Sequence, residues 1–70
     1  MRIEYDADVD VLTIYLREGK YASSDEVAPN MIVDFDPQGA PLTIEILQAR
    51  EMLGFEGALR LDIPFAVVQT

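Results

Sequence analysis

Three carboxylates at alternate positions, Asp6, Asp8 and Asp10, are the residues whose spacing most resembles a chemical device. A D-x-D-x-D run supplies oxygen ligands in the pattern that opens a calcium-binding EF-hand loop. The rest of that loop is missing. Counted from Asp6, the sixth position needs Gly for the sharp turn and is Val11, and the twelfth needs a bidentate Glu and is Arg17. The run therefore reads as an Asp-rich turn that satisfies its own backbone. Two further carboxylates, Asp34 and Asp36, end an apolar run. If the first three strands go up, down and up, with Pro29-Asn30 only a bulge or bend in the third, Asp6, Asp8, Asp10, Asp34 and Asp36 share one rim of a sheet. Such a rim can hold a hard divalent cation, dock a basic partner or simply be solvated, and the overall charge favours the last.

Other chemistry finds little support. The chain has no His and no Cys, and no Ser stands in a nucleophile motif, so hydrolase and transferase mechanisms lack their usual groups. No catalytic residue and no cofactor are expected. Gly19, Gly39, Gly54 and Gly57 are isolated, and none opens a helix after a strand, which argues against nucleotide phosphates. Tyr5, Tyr15 and Tyr21 could stack on a ligand, although strand tyrosines more often pack. Glu45, between Ile44 and Ile46, is expected to face outward within reach of Arg60.

Positioning these groups requires a sheet. Two apolar runs, 31–36 and 42–47, flank Asp36-Pro37-Gln38-Gly39, where Pro37 presets φ, Asp36 can cap the turn and Gly39 can take positive φ. That is a β-hairpin signature. Residues 2–5 alternate as a half-buried strand, 11–16 are apolar on both parities as in a strand covered on both faces, and 23–28 start a third. Gln48 to Leu53 has helical composition, with Gly54 as its terminator. Leu59, Leu61 and Ile63 alternate in a last strand ended by Pro64, and Phe65, Val67 and Val68 continue an apolar tail. The expected fold is α+β, mostly β: a four-stranded antiparallel meander (1–54 with a short helix) and a C-terminal strand in 55–70, all in one domain.

Size and charge complete the reading. Seventy residues without a disulfide or an obvious metal site make a marginal core, so a homodimer is expected, with Leu59, Leu61, Ile63, Phe65, Val67 and Val68 at its interface. The net charge is −8, with five basic and thirteen acidic residues. The basic residues are scattered singly, which argues against nucleic acid and anionic membranes. No stretch has the length or apolarity of a spanning helix, and the amino terminus does not read as a signal peptide, so a cytoplasmic location is expected.

Residues Ile3-Glu4-Tyr5-Asp6, Asp10, Leu12, Ile14, Leu16, Glu26-Val27, Ile32 to Asp36, Gly39 and Ile44 to Leu47 together resemble a small prokaryotic family, domain of unknown function 2283. The resemblance implies a compact β-meander followed by a short helix and brings no activity with it. Asn30 and Thr43 depart from positions where similar sequences carry Gly. The expected function is a noncatalytic interaction module; the alternatives are an antitoxin-like neutraliser of a small basic protein and a metal- or ligand-binding enzyme using the acidic rim.

Overall fold

The computed structural model describes residues 1–55. Five strands, β1 (Arg2–Asp6), β2 (Val11–Tyr15), β3 (Ser23–Ala28), β4 (Met31–Phe35) and β5 (Pro41–Leu47), are followed by a short helix α1 (Ala49–Leu53). All neighbouring strands pair antiparallel, in the order β1-β2-β5-β4-β3. The fold is mostly β with one short helix, as expected. It is not a four-stranded meander: β5 returns to lie between β2 and β4, and β3 is a strand of its own at the edge.

The reason lies in Pro29-Asn30. Ala28 pairs with Met31, and Asn30 takes φ 61°, so these two residues form a hairpin turn, not a bulge within one strand. Proline presets φ at the first turn position and Asn tolerates the left-handed conformation at the second. The extra reversal changes the direction of every strand after it. The second reversal behaves as its residues predict: Gly39 adopts φ 82° and donates its N–H to the Asp36 carbonyl at 3.0 Å.

Alternation sends one set of side chains to a single face. The register pairs Ile3 with Ile14, Tyr5 with Leu12, Leu12 with Ile46, Ile14 with Ile44, and Val33 with Ile44. Helix α1 lies on this face. Ala49 is completely buried, in a cluster with Leu12 and Ile46, and Phe55 reaches Tyr5 edge-on at 5.3 Å between ring centroids. Gly54, with φ 69°, ends the helix and donates its N–H to the Arg50 carbonyl. Among the described residues Leu12, Leu42, Ile46 and Ala49 are the buried hydrophobic ones, while Ile3, Ile14, Val33 and Ile44 on the same face are only half-buried. The outer face of β2 is likewise half-exposed at Val11, Thr13 and Tyr15, so among the described residues this interior strand is not covered on both sides. Among the described residues no helix is long and apolar enough to cross a membrane. The expected last strand and the interface residues Leu59, Leu61, Ile63, Phe65, Val67 and Val68 lie outside the described residues.

Candidate functional site

The five carboxylates do not share a rim. Because β4 runs opposite to the expected direction, Asp34 and Asp36 lie beside the start of β5, where Asp34 faces Thr43 and Phe35 faces Pro41, whereas the Asp6–Asp10 turn lies beside its end, where Val11 faces Leu47. Each end uses its carboxylates for architecture. The Asp6 side chain accepts the Asp8 N–H at 3.0 Å. Asp10, at φ 56°, accepts the Tyr5 hydroxyl at 2.7 Å and the Arg50 N–H at 3.1 Å, while its carbonyl takes the Ala49 N–H, so it caps α1 from a turn 40 residues earlier. The Tyr5 hydroxyl bond holds the Asp10 carboxyl below the usual carboxylate range. Among the described residues no group of three or more His, Cys, Asp or Glu side chains is placed to hold a metal ion.

Asp34 has a different setting. On the outer face, β3, β4 and β5 bring Ser24 opposite Asp34 and Asp34 opposite Thr43. Tyr21 and Ser24 share a hydrogen bond of 2.7 Å, the Ser24 hydroxyl donates to Asp34 at 2.5 Å, and the Thr43 hydroxyl donates to the other Asp34 oxygen. Glu45, diagonal to Asp34, hydrogen-bonds to it as well. Burial, the bond to Asp34 and the nearby negative charge all push the Glu45 carboxyl above its ordinary 4.5. Burial pushes Asp34 the same way, but the bonds from Ser24, Thr43 and Glu45 outweigh it and leave Asp34 below 3.8. Glu45 thus holds its proton to higher pH than a free glutamate does, and in that protonated form it donates to Asp34, which stays ionised to lower pH than a free aspartate.

The linkage has a definite sign. Between pH 4.5 and the raised Glu45 value, the folded chain binds a proton that the unfolded chain releases, so this pair's stabilisation falls as pH rises through that window. The Asp34 contribution runs the other way, present above 3.8 and lost as pH falls through its lowered value. Glu45→Gln replaces the titrating donor with a permanent one. At pH 7 it is expected to stabilise the fold by about 0.5–1.5 kcal/mol, and thermal melts from pH 4 to 8 should lose the decline above 4.5. An unchanged pH profile would show that Glu45 does not donate to Asp34.

Asp34 and Thr43 also form part of an open groove of about 710 Å³. The chain between β2 and β3 makes it, because it must cross the start of β5 and the end of β4. Leu16 and Arg17 donate their N–H groups to the Leu42 carbonyl, and Ala22 donates to the Phe35 carbonyl. Gly19 sits so close that a Cβ there would lie 2.7 Å from the Leu42 side chain. Two guanidinium groups flank the groove. Arg2 stacks on the Tyr15 ring at 4.2 Å and pairs with Glu4 at 3.3 Å; Arg17 pairs with Asp36 at 3.2 Å.

The family model described as "Protein of unknown function (DUF2283)" matches residues 2–50 of the chain. The chain belongs to the DUF2283 family. No curated protein and no solved structure matches it. The match contains all five strands and the beginning of α1, so the DUF2283 unit includes the groove, the Asp34–Glu45 pair and the Asp10 cap. Sequence reasoning named Tyr15 and Tyr21 as possible stacking groups but missed Arg2 and Arg17. Nothing local marks them: Arg2 meets Tyr15 through β1–β2 register, and Arg17 meets Asp36 only because β5 lies between β2 and β4 in the DUF2283 sheet.

Proposed function

We propose that this chain is a noncatalytic interaction module that works as a homo-oligomer, most simply a dimer. The observation supporting this is the apolar face of the sheet. Among the described residues, a helix of five residues and Phe55 are what packs over it, and Ile3, Ile14, Val33 and Ile44 remain half-buried. Val27, Met52 and Leu53 are 53%, 45% and 43% exposed, more apolar surface than so small a unit gains by keeping in water. A second copy covers such a face without new sequence, and Phe55, the last described residue, packs against it. In this reading Leu59, Leu61, Ile63, Phe65, Val67 and Val68 supply the apolar surface that the sheet lacks.

Light scattering on the full chain at micromolar concentration tests the proposal. The expected mass is that of two subunits, and the double variant L61E/I63E should run as one. A folded single subunit for the unsubstituted chain would overturn it. The outer face favours a second reading. There Glu4, Glu26, Asp34 and Glu45 come from four different strands, an arrangement suited to docking a small basic protein, as an antitoxin-like neutraliser would. The same mass measurement separates the two, since this reading gives a hetero-complex with the basic protein in place of the homodimer.

A further inference from the structure

We propose that the groove beneath the β2–β3 crossing binds a small carboxylic acid with an aromatic body. Its volume, about 710 Å³, is that of a small-molecule site. Leu16 and Leu42 contribute apolar side chains to its lining, and Tyr15 and Tyr21 contribute aromatic ones. Phenolic rings of this kind receive a flat apolar ligand at little entropic cost.

The guanidinium groups specify the anion. In a chain of net charge −8, two of the four basic residues in the described region, Arg2 and Arg17, line this one groove. Both are held in place from behind. Asp36, only 6% exposed, fixes Arg17, and the Tyr15 ring and Glu4 fix Arg2. A guanidinium has five N–H donors in a planar fork, so these partners leave donors for a carboxylate, which that fork matches bidentately. The same lining carries acceptors, the Asp34 carboxylate and the hydroxyls of Thr43 and Tyr21, suited to a ligand hydroxyl. Asp34 and Glu18 on the lining disfavour a multiply charged phosphate, which leaves a monoanion with an apolar body.

The probe is 4-hydroxyphenylacetate, with its neutral amide as control, titrated into the full ¹⁵N-labelled chain. A ligand of this size reaches millimolar to sub-millimolar affinity. The acid is expected to move the amide signals of Gly19, Tyr21 and Thr43 and to leave those of Asp8 and Val9 unmoved, and the amide should bind at least about fivefold more weakly. Arg2→Gln, at an exposed position, should weaken the acid to a similar degree while the spectrum remains that of a folded chain. Absence of shifts at about 10 mM acid, or equal affinity for acid and amide, would overturn the proposal. Because the control alters the ligand and leaves the protein unchanged, the result is independent of any variant's folding and of the oligomeric state.

Discussion

Asp36→Ala is expected to destabilise the fold by about 2–4 kcal/mol, as the sum of two lost charge-assisted hydrogen bonds and an ion pair, partly offset by hydration of the exposed turn. Asp36 is the buried polar side chain of the described chain, 6% exposed at the end of β4. One carboxylate oxygen accepts the N–H groups of Gln38 at 2.9 Å and Ala40 at 2.8 Å, and the other faces Arg17 at 3.2 Å. Its own backbone closes the turn in both directions, through Ala40 and Gly39. Alanine removes the acceptor and leaves all of these donors seeking water. Asp36→Asn keeps an oxygen for the two N–H groups and gives up only the charge, so it should cost about 1 kcal/mol. Thermal denaturation of both variants decides the matter, at about 4–8 °C per kcal/mol for a domain of this length. If alanine and asparagine melt alike, the carboxylate does not organise the hairpin.

Leu12→Ala should cost about 2–5 kcal/mol, the range for a buried leucine whose cavity cannot collapse. Leu12 is 2% exposed, paired with Tyr5 on one side and Ile46 on the other, with Ala49 of the helix packed against it. Strands on both flanks fix the backbone, so neighbours cannot move in to fill the space. A core of this size rarely supplies more than about 3–5 kcal/mol in total. The variant is therefore expected to be largely unfolded at 25 °C in dilute buffer, visible as loss of dispersed amide signals and a urea midpoint near zero. A drop below about 1 kcal/mol would mean that the face is too open to act as a core, and that Leu12 is ordered by something other than packing.

These two residues differ in how far the sequence reveals them. Leu12 is legible as a strand residue set against Ile14 and Leu16, but because 11–16 is apolar on both parities the sequence does not say which face is the core; the helix docking over Leu12 decides that. The turn role of Asp36 is legible too, from Pro37 and Gly39 beside it. Its grip on Arg17 is not, since 19 positions separate them and only the placement of β5 between β2 and β4 brings the crossing chain over the hairpin. Asp10 shows the same limit. Its place in a turn follows from Asp6, Asp8 and Asp10 as a group, yet its bond to the Arg50 N–H depends on where the helix docks. The acidic rim failed for one local reason. In the sequence Pro29-Asn30 reads as a bulge or bend, whereas in the fold it is a turn, and the difference sends Asp34 and Asp36 to the other end of the sheet.

By itself the sequence determined most of the local geometry: the extended segments, though not the reversal at Pro29-Asn30 that divides two of them, the hairpin at Asp36–Gly39, the helix stop at Gly54 and the apolar face. These depend on alternation and on dihedral preferences that act within a few residues. Strand order, the pairing of Glu45 with Asp34, and the gathering of Arg2 and Arg17 around one groove were decided by tertiary structure. They depend on hydrogen bonding between segments far apart in the chain, and no neighbouring residue encodes which strand a returning segment will join.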